Sequence, residues 1–133
     1  MCGIAGVVSI TPFPNALGIE QTLHRMARLI AHRGPDGSDI WHDSHAGLAH
    51  TRLAIIDLSE AGRQPMHDVQ GHYVLTYNGE IYNYRELREE LRAAGHHFRT
   101  ETDSEVILNG YREWGEAVVD RLRGMFAFAL WDE

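Results

Sequence analysis

A single cysteine among 133 residues leaves no partner for an internal disulfide and too few thiolates for a zinc cage. Such cysteine usage implies a reducing compartment. Basic residues are scarce as well: 12 Lys and Arg stand against 19 Asp and Glu, a net charge of −7 with both signs interspersed. That balance argues against a nucleic-acid surface. Long apolar runs are missing, and none approaches the roughly 20 residues that a membrane-crossing helix needs. The opening MCGIAGVVSI has neither a basic leading segment nor a cleavage site, so it does not read as a secretory signal. Nine histidines are present, but none falls in an HExxH frame and no CxxC joins them, so no metal site is expected. The expectation is one cytoplasmic domain, with an ordinary apolar share of 44% and neither nucleic acid nor membrane as partner.

The lone cysteine is Cys2, directly behind the initiator Met1. Removal of Met1 would place a thiol and a free α-amine on one residue. An N-terminal amine has a reference pKa of about 8, so a share of it is neutral near physiological pH. It can then take the proton of its own thiol, as a neighbouring base does for other weak nucleophiles. The plainer alternative is a buried chain start with an incidental cysteine.

Periodicity sketches the rest. Residues 3–10 (GIAGVVSI) read as a buried strand, with Gly3 and Gly6 marking close backbone approach. A helix is expected over 17–31, with Leu17, Leu23, Met26, Ala27 and Ile30 inward and Gly34 as a left-handed cap. Strands follow near 39–42 and 46–56, then a turn-rich segment at 57–70 whose length suggests a functional loop. YVLTY at 73–77 is a further strand, after which Asn78-Gly79 carries the sequence signal of a tight turn. Asn83 with Glu86 resembles a helix cap and its return partner, opening a helix over 84–94. A helix from Asp103 or Ser104 through Trp114, a short helix near 115–122 and a strand at 124–131 complete the order. In that strand Phe126, Phe128 and Trp131 are expected to face the core. Helix and strand layers that both need covering imply a stacked sandwich.

Seven sequence blocks occur in order: MCGIAG at 1–6, HRGPDG at 32–37, AHTRLAIIDLS at 49–59, QPM at 64–66, YNGEIYNY at 77–84, TDSEVIL at 102–108 and GMFAFALWD at 124–132. Together they resemble the glutaminase domain of glutamine-hydrolysing asparagine synthetases, a class II glutamine amidotransferase. The resemblance implies an α+β fold, the four-layer αββα sandwich of N-terminal-nucleophile hydrolases. It also implies that residues 1–133 are a truncated glutaminase domain, incomplete at the C-terminus and without its ATP-dependent synthetase domain.

The implied reaction is hydrolysis of the glutamine side-chain amide to glutamate and ammonia, the ammonia-supplying half of asparagine synthesis from aspartate. Cys2 matches the nucleophile; the Asn78 side chain and the Gly79 N–H match the oxyanion hole. Arg52 matches the clamp on the substrate α-carboxylate, and its planar fork suits a bidentate contact. Asp103 matches the partner of the α-ammonium, with Glu80 beside it. The backbone of Leu53, Ala54, Ile55 and Ile56 is expected to line the pocket. Arg33, Gly34, Pro35 and Asp36 are assigned to shaping the loop beside the nucleophile. No metal and no cofactor are expected in this chain; ATP and magnesium belong to the synthetase domain, the expected partner in cis. L-Glutamine is the expected small-molecule partner, and a homodimer is compatible with the resemblance. Two alternatives stay open: a catalytically inert glutamine-binding fragment, and the same domain from another class II amidotransferase.

Overall fold

The computed structural model describes residues 1–133. Its strands form two three-stranded antiparallel sheets. In the first, β3 (Ala46–Arg52) lies between β1 (Gly3–Val8) and β2 (Gly37–His42). In the second, β5 (Tyr73–Ile81) lies between the two-residue β4 (Met66–His67) and β6 (Gly124–Asp132). Helix α1 (Ala16–Leu29) covers the first sheet; α2 (Tyr84–Ala93) and α3 (Glu105–Trp114) cover the second, and α4 (Val118–Arg121) leads into β6. The sheets face each other, and β3 touches β5 by side-chain hydrogen bonds: His50 Nε2 donates to the Tyr77 carbonyl and Thr76 Oγ1 to the Ala49 carbonyl. The layer order is therefore αββα, the expected fold. No helix is long and apolar enough to cross a membrane.

Alternation explains the layering. Every residue of β3 is buried, because its odd positions face α1 while its even positions face β5. Gly47 and Ala49 leave room for Leu23 and Ile19 of α1. His50 and Arg52 point the other way. The larger core gathers Leu75, Tyr77 and Ile81 of β5 with Leu87 and Leu91 of α2 and Val106 and Ile107 of α3.

Several local expectations are corrected. The fully buried strand is β3; β1 is an edge strand with Val8 largely exposed. Gly3 does mark close approach, since a Cβ there would lie 2.5 Å from Thr51 Oγ1. On α1 the inward set is Ile19, Leu23 and Ala27, whereas Leu17 is 63% exposed; Asn15 caps the helix by accepting from the Gly18 N–H at 2.6 Å. Gly34 is not left-handed (φ −148°); it is glycine because a Cβ would meet the Arg52 nitrogen at 2.5 Å. The strand expected over 46–56 stops at Arg52.

Asn78 and Gly79 form no turn. They sit within β5, opposite Ala127 and Phe126 of β6. The local hairpin signal yields to a partner strand almost fifty residues away, and a Cβ on Gly79 would lie 2.6 Å from Phe126 Cα. Asn83 makes no side-chain cap; its Nδ2 donates to the Arg121 carbonyl and its Oδ1 accepts from the Arg123 N–H, tying the start of α2 to the entry of β6. In β6 it is Phe126, Phe128 and Leu130 that alternate onto the core. Trp131 has the opposite parity and donates its Nε1–H to Asp43 at 2.7 Å.

Candidate active site

The start of β1, the end of β3, the second half of β5 and the lead-in to α3 meet at one end of the sandwich, around a cavity of about 120 Å³. Cys2, Arg52, Leu53, Ala54, Ile55, Ile56, Gly79, Glu80 and Asp103 all line it. Nearly every residue singled out from the sequence is thus brought to one place. Asn78 is the exception: its side chain, on the face of β5 turned toward β3, does not line the cavity. There its Oδ1 is buried without a hydrogen-bond partner.

Cys2 is half-buried and unpaired. Its sulfur accepts from the Leu53 N–H at 3.3 Å, and its thiol faces the Leu53 carbonyl at 3.6 Å. Its own carbonyl accepts from Arg33 Nε at 3.0 Å. The HRGPDG segment then holds the other side of the same loop. The Asp36 N–H donates to the Arg52 carbonyl, and Asp36 Oδ2 accepts from the Ala54 N–H, both at 2.9 Å. Residues 32–37 therefore shape the loop beside the sulfur and contribute no side chain to the cavity wall.

Arg52 is only 9% exposed. Its Nη2 donates to the Asp57 carbonyl at 2.6 Å, and none of the chain's ion pairs includes it. A buried guanidinium without a carboxylate is costly unless an anion arrives to meet it. Asp57 is held in place by its own turn, since its carboxylate accepts from the Ser59 hydroxyl and N–H and from the Glu101 N–H. Those bonds, the Ser59 hydroxyl foremost, lower its pKa.

Asp103 is 6% exposed and also lacks a cationic partner. Its Oδ2 accepts from the Tyr77 hydroxyl at 2.6 Å and from the Ile81 N–H at 2.9 Å. The loop before it is fixed from two sides. Arg88 of α2 donates to the Thr100 and Thr102 carbonyls, and the Glu105 carboxylate accepts from the Arg99 and Thr100 N–H groups. The cavity thus presents an unpaired cation and an unpaired anion, the complement of a zwitterion, with a thiol beside them.

Among the lining residues given no role from the sequence are His50, Gln64 and Tyr77. His50 had a usable signal, because two residues before Arg52 on a strand means the same face. Burial lowers its pKa to about 4, outweighing the bond to the Tyr77 carbonyl, so the ring is neutral at physiological pH. Gln64, buried in the turn-rich segment, accepts the Tyr77 N–H at 2.6 Å. No group of three or more His, Cys, Asp or Glu side chains is placed to hold a metal ion.

The sequence profile of the glutamine amidotransferase domain family matches residues 1–133. Asparagine synthetase (glutamine-hydrolyzing) 3 of Bacillus subtilis strain 168 is 49% identical over the whole chain, which covers 22% of that protein. Asparagine synthetase B (glutamine-hydrolyzing) of Escherichia coli K12 is 46% identical over 99% of the chain, which covers 23% of it. The chain thus spans about a fifth of the length of the curated relatives it matches. The solved structure of glutamine phosphoribosylpyrophosphate (PRPP) amidotransferase from B. subtilis, complexed with ADP and GMP, superposes with a TM-score of 0.74 at 18% identity. That match covers 99% of this chain and 35% of the other.

Proposed function

The chain belongs to the glutamine amidotransferase domain family, and from that premise we propose that it hydrolyses the side-chain amide of glutamine to glutamate and ammonia, with Cys2 as nucleophile. The observation that carries this reading is the convergence of the Cys2 thiol, the unpaired Arg52 and the unpaired Asp103 on one cavity. Arg52 takes the substrate α-carboxylate through its planar fork, and Asp103 takes the α-ammonium. The remaining end of glutamine, its neutral amide, is left for the sulfur.

With Met1 removed, the Cys2 amine accepts the thiol proton and the sulfur attacks the amide carbon. The resulting oxyanion needs donors set in advance. The Gly79 N–H and the Asn78 side-chain amide fill that role, Asn78 through its Nδ2. Collapse of the intermediate breaks the C–N bond, and the proton held on the Cys2 amine leaves with the nitrogen as ammonia. Water then attacks the γ-glutamyl thioester, the amine again taking the proton, and glutamate and the free thiol are restored. The ammonia feeds ATP-dependent synthesis of asparagine from aspartate in a synthetase domain in cis, a reading supported by the longer relatives, which are named glutamine-hydrolyzing asparagine synthetases. ATP and magnesium act in that domain.

The test pairs intact-mass analysis with a diazo-ketone analogue of glutamine. Loss of Met1, a stoichiometric adduct on Cys2 and glutamine-dependent ammonia release that Cys2→Ser abolishes are the expected results. Retained Met1, or equal ammonia release from the Cys2→Ser protein, overturns the mechanism. Glutamine binding without turnover or adduct identifies an inert binding module instead.

A further inference from the structure

Tyr77 touches the site through three separate groups. Its N–H donates to Gln64 Oε1 at 2.6 Å, its carbonyl accepts from His50 Nε2 at 3.2 Å, and its hydroxyl donates to Asp103 Oδ2 at 2.6 Å. The residue is 3% exposed. Its backbone is held on both sides and its ring packs in the larger core, which fixes where the hydroxyl points. The Ile81 N–H ends on the same carboxylate oxygen. Two donors on Oδ2 stop the carboxylate from rotating and leave Oδ1 as the oxygen open to a ligand. Both donors are neutral, so the full negative charge stays available, which a lysine or arginine in the same place would cancel.

Resting on the glutamine-hydrolysing reading above, we infer that Tyr77 is a positioning residue that aims Asp103 at the substrate α-ammonium and so sets the preference for α-amino substrates. Burial, reinforced by the bond to Asp103, raises the Tyr77 pKa, so the hydroxyl remains a donor throughout the working pH range. The inference predicts a defect confined to recognition of one substrate group. The chemistry at Cys2 is untouched.

The experiment compares glutamine with 4-carbamoylbutanoate, which keeps the amide and the carboxylate and lacks the α-amine, using the chain as its gene encodes it with Met1 removed. Tyr77→Phe is expected to raise KM for glutamine about tenfold, the loss of one hydrogen bond to a charged group. Its kcat should stay within about threefold, and kcat/KM for 4-carbamoylbutanoate should not change. An equal fall on both substrates, or no fall on either, overturns the proposal. Failure of the wild type itself to hydrolyse glutamine would instead sink the parent reading. If Tyr77→Phe does not fold, the Cys2→Ser protein decides. Tyr77 is the only tyrosine lining the cavity and no tryptophan does, so glutamine should produce a tyrosine absorbance difference and 4-carbamoylbutanoate should not. No difference with glutamine, or the same difference with both, overturns it.

Discussion

The sulfur of Cys2 accepts a hydrogen bond from the backbone N–H of Leu53 at 3.3 Å. Leu53 follows Arg52, so the atom expected to attack the substrate is registered against the segment expected to hold it. The same segment is fixed from behind by Asp36 through the Ala54 N–H. Position at the sulfur and position at the guanidinium are therefore one variable, and the substitutions below read it from different ends.

Arg52→Lys should raise KM for glutamine about 10- to 100-fold. Lysine keeps the charge and loses the two-pronged geometry and the bond to the Asp57 carbonyl. Steady-state kinetics check this. A KM within twofold of the wild type would mean that the buried cation at this position does not meet the substrate.

Asn78→Ala should lower kcat about 100- to 1,000-fold, the ordinary cost of one oxyanion donor, with KM little changed. Stability should hardly move. The Asn78 Oδ1 is buried without a partner, so truncation removes a desolvation penalty together with some packing. Kinetics and a denaturant melt on the same protein separate the two. A large loss of stability with normal kcat would make Asn78 structural.

His50 gives the fold a pH dependence of known sign. Its ordinary pKa of 6.5 is lowered to about 4 in the folded chain, first by burial. Between those values the unfolded chain takes up a proton that the folded chain refuses. The contribution is therefore fully present above 6.5 and is lost as pH falls toward 4, up to about 3 kcal/mol in all. His50→Gln keeps a donor for the Tyr77 carbonyl and removes the titration. Its unfolding free energy should fall less between pH 7 and pH 5 than the wild type's; parallel pH curves would contradict the assignment.

Much of the site was legible because its polar residues fall in short blocks whose order and spacing survive without any knowledge of packing. Cys2 stood out by its position behind Met1, while Arg52, Gly79, Glu80 and Asp103 came from the resemblance those blocks carry, and the fold brings all five to one cavity. The errors share a cause. Asn78-Gly79 looks like a turn and Asn83 looks like a cap when only neighbours in sequence are considered. Both are claimed by β6 or its approach, some forty to fifty residues on. Gln64 and Tyr77 open the QPM and YNGEIYNY blocks yet drew no role, because what marks them is their mutual contact, which sequence order does not show.

Met1 lines the cavity and is 59% exposed. The bonds that seat Cys2 run through its sulfur and its carbonyl, to Leu53 and Arg33, and none of them uses the residue before it. On the proposed mechanism Met1 blocks the α-amine of Cys2 until the bond between them is cut. That cut leaves in place the bonds that hold Cys2 against Leu53 and Arg33.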